Sequence, residues 1–267
     1  MSNEIITPDW PAPSHIKAYS TTRDLATTGQ STQEYKSFNL AFHVGDNKEH
    51  VARNRELLAT HLELPNEPIW LNQVHGTNLV DIDNAQISAN PAEADGSYTC
   101  STNKVCVVMT ADCLPILFTD AQGSHVAAIH AGWRSLASGI IETLLKRWPT
   151  PHNEVMAWLG PAIGPAAFEV GSDVQQAFIA HDSEAKSAFQ PIQNDKWLAN
   201  LVLLAKQRLK SSGVSHIYGG DYCTYADQSR FYSYRRDGQT GRMASLIWKA
   251  SSWSLSENSD RHESKPD

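Results

Sequence analysis

The apolar residues of this chain come in short runs, and run length bounds the fold. β-Branched or aromatic stretches occupy 69–74, 78–82, 104–109, 114–119, 124–130, 154–159, 230–234 and 243–248. That is strand length, with turn residues between. None nears the roughly 18 residues needed to cross a bilayer. Helical 3.6-residue periodicity is confined to a few segments. Residues 136–148 set Leu136, Ile140, Ile141, Leu144, Leu145 and Trp148 on one face. Residues 197–210 do the same with Leu198, Leu201, Val202, Ala205 and Leu209, and Gly213 follows as a C′ residue. Ser172 and Gln175 read as a capping box ahead of Val174, Ala177 and Phe178. A weaker helix spans 49–62 through Val51, Leu58 and Leu62. Strands dominate the first half and the end without a clean βαβ alternation. The expected fold is therefore α/β in the α+β sense: a single-domain sandwich of mixed β-sheet flanked by helices.

Composition narrows the class. Of 267 residues, 41% are apolar and 19% charged, so a buried core is available and wholesale disorder is excluded. The net charge of −7, with no basic cluster, argues against a nucleic-acid partner. The segment MSNEIITPDWPAP has no basic start and no apolar core, so it does not read as a signal peptide, and a cytoplasmic location is expected. Four cysteines do not make a disulfide scaffold. The expected organisation is an N-terminal extension over 1–15, one catalytic domain over 16–249 and a disordered tail over 250–267.

Three segments put a metal-type ligand at or beside the end of an apolar run: Asn72-Gln73-Val74-His75-Gly76, Thr110-Ala111-Asp112-Cys113-Leu114-Pro115, and Ile129-His130-Ala131-Gly132-Trp133-Arg134. Strand ends are where a sheet presents side chains to a cleft. His75, Cys113 and His130 make a plausible zinc set: one thiolate and two imidazoles, with a fourth coordination place for water or substrate. Such an ion lowers the pKa of a bound water to about 7. The spacings match no short zinc-finger pattern, and from spacing alone ordinary packing of such residues is the commoner reading. His43, in Phe42-His43-Val44-Gly45-Asp46, is a further candidate. The run Tyr234-Arg235-Arg236-Asp237-Gly238-Gln239-Thr240-Gly241-Arg242 sets three guanidiniums beside two glycines, a composition suited either to an anion or to a solvated hairpin tip. Cys223 is either a cleft residue or a fourth metal ligand.

Taken in order, the blocks Ser37-Phe38-Asn39-Leu40, Trp70-Leu71-Asn72-Gln73-Val74-His75-Gly76, Ala94-Asp95-Gly96, Thr110–Pro115, His130–Arg134, Leu159-Gly160-Pro161-Ala162-Ile163-Gly164, Phe168-Glu169-Val170-Gly171 and Phe231–Asp237 resemble one family. It is the YfiH-like family, known as purine nucleoside phosphorylase, laccase-domain or polyphenol oxidase proteins. The resemblance runs from about residue 18 to 248.

It implies Zn(2+) held by His75, Cys113 and His130, with copper as the lesser alternative. It also implies a cytosolic enzyme of the transferase and hydrolase classes. The implied activities are phosphorolysis of adenosine, inosine, guanosine and methylthioadenosine, and deamination of adenosine. Within that implication Asp112 and Cys113 are the candidate catalytic residues. Asn39, His43, Gln73, Arg235 and Arg236 are the candidate contacts to nucleoside and phosphate. A cysteine hydrolase using Cys113 and a laccase-like copper oxidase are the alternatives.

Overall fold

The structure is a computed structural model that describes residues 5–25, 29–85 and 90–251. Beyond residue 251 the expected tail lies outside the described residues. The first half contains β1 (Ile5–Ile6), β2 (Ile16–Thr21), α1 (Lys48–His61), β3 (Val80–Asp81), β4 (Gly96–Thr99), β5 (Val105–Thr110), β6 (Leu114–Asp120) and β7 (Val126–Ala131). There follow α2 (Trp133–Ala137), α3 (Ile140–Leu145), β8 (Val155–Leu159), β9 (Glu169–Gly171), α4 (Ser172–Ile179), β10 (Phe189–Pro191) and β11 (Lys196–Ala199). The chain closes with α5 (Leu201–Ser211), β12 (His216–Gly219), α6 (Tyr234–Asp237) and β13 (Met243–Lys249).

Among the described residues the strands form three sheets. The largest has six strands in the order β12-β8-β6-β7-β4-β3 and is mixed, with parallel pairs only at β12/β8 and β3/β4. A four-stranded antiparallel sheet, β1-β2-β13-β5, packs on it, and a small β10-β11-β9 sheet joins the helix-side core through Val170, Phe189 and Ala199. The expected mixed-sheet sandwich with flanking helices is what forms.

The short apolar runs are continuous because their strands are covered on both faces, and successive side chains serve different cores. In β6, Leu114, Ile116 and Phe118 join the core shared with α3, α4 and α5, while Leu117 points to the other sheet. In β5, Cys106 and Val108 face the inter-sheet core, while Val105 and Val107 face a third core closed by Leu58 of α1 with Phe38 and Leu40. The outcome is a layered sandwich of helices, six strands, four strands and α1.

Several local expectations change. The 136–148 helix is two helices, broken at Gly139, whose φ of 89° is left-handed. Residues 196–199 pair into β11, so α5 begins only at Leu201, where the Asn200 side chain caps it by accepting from the Leu203 N–H. Gly213, at φ 89°, takes its expected place just past that helix. The Ser172–Gln175 capping box is absent: Gly171, held extended by its pairing with Lys196, is the N-cap, and Ser172 is already helical.

Residues 230–234 form no strand, because Ser233 caps α6 by accepting from the Arg236 N–H and turns the chain. Residues 69–74 make isolated bridges from Ile69 and Asn72 rather than a ladder. There the Gln73 amide takes the place of backbone, donating to the Met109 carbonyl and accepting from the Met109 N–H at 2.8 Å each.

Candidate functional site

Register builds the site. Leu114 pairs with Ala131 and Pro115 with His130, so the start of β6 lies beside the end of β7. Cys113, one residue before β6, and His130 thus meet at one end of the six-stranded sheet. His75 reaches them on the 72–76 loop. The three donor atoms all lie within 4.8 Å of one another, with Cys113 Sγ 3.8 Å from His75 Nε2. The two imidazoles stand edge to face, centroids 4.8 Å apart. His130 is buried, Cys113 half-buried and His75 exposed, so the group is open to solvent on one side.

One carboxylate joins two of the three segments. Asp95, fully buried just before β4, accepts from His130 Nδ1 at 2.8 Å. It also accepts from the backbone N–H groups of His75 at 2.9 Å, Gly76 at 2.6 Å and Val74 at 3.3 Å. Burial opposes its charge, yet the hydrogen bonds from His130, Gly76 and His75 hold its carboxyl below the ordinary value. With Nδ1–H committed to Asp95, Nε2 is the ring nitrogen left for a metal. Burial alone would raise the Cys113 thiol. The His130 charge and hydrogen bonds from His130 and His75 bring it instead down to about 6. His130 moves the other way, up to about 9, because Cys113 and Asp95 outweigh its burial.

Gly132 completes the geometry. It follows β7 directly. A Cβ there would stand 2.8 Å from His75 Cδ2 and 3.2 Å from Cys113 Sγ. Only glycine leaves the three donors room to converge. His75 itself has a φ of 61° and Asp112 a φ of 90°, left-handed conformations held by this network.

The donors fit a metal ion. Ion–sulfur and ion–nitrogen distances of about 2.3 and 2.0–2.1 Å imply donors roughly 3.5 Å apart around one tetrahedral centre, close to the 3.8 Å found between Cys113 and His75. The set is three-membered among the described residues. Cys223 is not part of it: its sulfur accepts from the N–H groups of Gly164 at 3.2 Å and Ala226 at 3.4 Å.

The remaining candidates separate. Asn39 is fully buried, and all its amide capacity is used within the chain. It donates to Ala41 O and Asp46 Oδ2 and accepts from the N–H groups of Ala41 and Arg242. It cannot reach a ligand, which corrects its expected role. Gln73 is occupied with Met109 as described. Arg236 is spent on the carbonyls of Thr224, Tyr225 and Phe231 and on Asp237, so it braces the chain instead of facing an anion. Arg235 is exposed and donates through Nη1 to the carbonyls of Ala167 and Glu169. Asp112 is buried and orients no metal-type ligand. Its two oxygens accept from Thr224 Oγ1 and the Arg235 N–H, both at 2.6 Å. The ligand-orienting carboxylate is Asp95. His43 lines a cavity of about 350 Å³ with Tyr234, Gln239, Thr240 and Arg242.

Fold and site together define a class: a two-sheet α/β sandwich carrying an open three-donor metal-type centre at its strand ends. Residues 17–250 match the family model described as multi-copper polyphenol oxidoreductase laccase. A relative from Haemophilus influenzae named purine nucleoside phosphorylase is 49% identical over 247 residues, covering 92% of this chain and 99% of that protein. The Escherichia coli purine nucleoside phosphorylase YfiH is 47% identical over the same shares. A crystal structure from Neisseria meningitidis superposes with a TM-score of 0.88 at 47% identity, covering 93% of this chain and all of that one. YlmD from Geobacillus stearothermophilus gives 0.85 at 28% identity, over 94% and 98%. The chain belongs to the YfiH-like, laccase-domain family.

Proposed function

We propose that this protein is a zinc-dependent purine nucleoside phosphorylase acting on adenosine, inosine, guanosine and methylthioadenosine, with adenosine deamination as a second activity. Its catalytic domain spans 16–249, and it works in the cytoplasm. The relatives named purine nucleoside phosphorylase, similar over nearly their whole length, support the reaction class. The observation that carries the reading is the convergence of His75, Cys113 and His130 with one side open. Thiolate and imidazole suit zinc, and they also admit copper.

In phosphorolysis a phosphate oxygen bonds to C1′ of the ribose as the C1′–N9 bond breaks. The electron pair leaves with N9, which takes up a proton from solvent, and ribose 1-phosphate and free base result. A zinc ion, when bound, supplies a Lewis acid at the open side of the three donors. The chain's own part is positional. Asp95 fixes the His130 tautomer and the 74–76 backbone, Gly132 keeps the approach clear, and Asp112 braces the Cys113 turn against Arg235. His43 and Arg235 remain the side chains that contact substrate.

A second reading, cysteine hydrolase chemistry, draws on the Cys113 thiol held at about 6 with His75 Nε2 3.8 Å away. Incubating the purified protein with inosine, with and without phosphate, separates the two. Hypoxanthine and ribose 1-phosphate formed only with phosphate, lost on chelation and restored by zinc, is the expected result. Full turnover by folded, metal-free protein would contradict the zinc reading. A covalent substrate mass on Cys113 would favour the cysteine one.

A further inference from the structure

The 350 Å³ cavity that His43 lines holds one guanidinium, Arg242, and no carboxylate in its wall. Arg242 immediately precedes β13, and Met243 pairs with Thr110, two residues before Asp112. The cavity's arginine therefore stands next to the turn that carries Cys113. Consistent with that placement, the charges of Cys113 and Asp112 act on Arg242. The hydrogen bonds of its guanidinium among the described residues, to the carbonyls of Thr240 and Gly241, both leave from Nη1.

His43 lines the same cavity. Burial first, then the fields of Arg242 and Arg55, depress its pKa, so it feels two guanidiniums and no compensating carboxylate. Arg55 is held in place between Phe42 and Trp70, 4.4 and 3.6 Å from their ring centres. Glu67 faces Arg55 and accepts from Trp70 Nε1, and the other nearby acids are committed to partners of their own. Asp46 accepts from Ser31 and Asn39, Asp112 from Thr224 and Arg235, and Asp237 from Arg236.

A second, independent feature points to a ligand. Thr240, on the cavity wall, is 1% exposed, and its hydroxyl has no partner among the described residues. A buried hydroxyl left unpaired is costly, and a small local shift would turn it to an acceptor bound in the cavity it lines. A cavity lined by guanidinium, imidazole and an unmet hydroxyl, without a facing carboxylate, has the chemistry of an oxyanion site.

We infer that Arg242, His43 and Thr240 form the binding site for the inorganic phosphate co-substrate, beside the three-donor centre. The inference rests on the phosphorylase reading and assigns its phosphate to Arg242 instead of Arg235 and Arg236. Tyr234, exposed, also lines the cavity, with the Arg242 guanidinium 5.8 Å from its ring centre.

Calorimetric titration of the protein as purified with inorganic phosphate tests the site without needing turnover. One phosphate per chain is expected. Arg242→Gln should weaken it at least tenfold, and the near-isosteric Thr240→Val about three- to tenfold. The same ratios should appear in the KM for phosphate, with the KM for inosine changed less than twofold. Wild type that binds no phosphate, or both variants binding it as wild type does, would overturn the site. Circular dichroism identifies a variant that has not folded, and Thr240→Val then carries the test. Phosphate bound at this site with no nucleoside cleaved would sustain the oxyanion site and remove the phosphorylase reading. Phosphate-dependent cleavage unchanged in both variants would do the reverse. A nucleoside monophosphate that binds where inorganic phosphate does not would reassign the cavity to a substrate's own phosphate and overturn the co-substrate role.

Discussion

Single residues decide whether three distant donors can share one ion. Asp95 binds the ring of His130 and the backbone of the loop bearing His75, so it acts on two ligands at once. Asp95→Asn keeps the size but turns an amide donor toward groups that themselves donate. Support of this kind is worth about 10–100-fold in metal affinity. Zinc competition against a graded chelator should show a loss in that range with the helices and sheets retained, and unchanged zinc affinity would remove Asp95 from the account. His75, Cys113 and His130 were legible in the sequence because each stands by an apolar run that ends in a small residue. Asp95 was not. Its partner is 35 positions away and becomes visible only with the β4/β7 register, which pairs Gly96 with Ile129. Arg242 was visible within an arginine-rich run. Nothing local separated it from Arg236, which the folded chain uses up on its own carbonyls.

At the scale of elements, polar side chains and glycines override periodicity. The 136–148 pattern is correct for burial: Leu136, Ile140, Ile141, Leu144, Leu145 and Trp148 are all core. Yet the backbone breaks at Gly139. A left-handed residue costs an L side chain roughly 1–2 kcal/mol, and the added Cβ would lie 3.3 Å from Glu142 Oε2. Gly139→Ala should therefore lower unfolding free energy by about that amount in a denaturant titration. A stabilised protein would mean that a continuous helix is accessible and that the break is not required. Spacing alone places Trp197 and Leu198 in a helix. Asn200 delays that helix by capping it at Leu201, and the preceding residues complete a sheet with β9 and β10. The gap in the 69–74 strand likewise comes from a side chain, Gln73, that satisfies β5 in place of backbone.

Across the whole molecule, alternation along β5, β6 and β7 sends side chains to different cores, and this locks the two sheets and the helices into one register. Because antiparallel β6 and β7 share an end, that register delivers Cys113 and His130 to the same point. The fold class followed from run lengths. The order of strands did not, since pairings such as β13 with β5 span more than a hundred residues and leave no local trace. Among the described residues no helix is long and apolar enough to cross a membrane, in line with the run lengths.

The central claim is that this register assembles one ion site per chain. Elemental analysis of the purified wild type beside His75→Ala and Cys113→Ala measures it most directly. About one zinc per wild-type chain, and a small fraction of that in both folded variants, is the predicted result. Wild type free of tightly bound metal, or variants that retain the full complement, would contradict it.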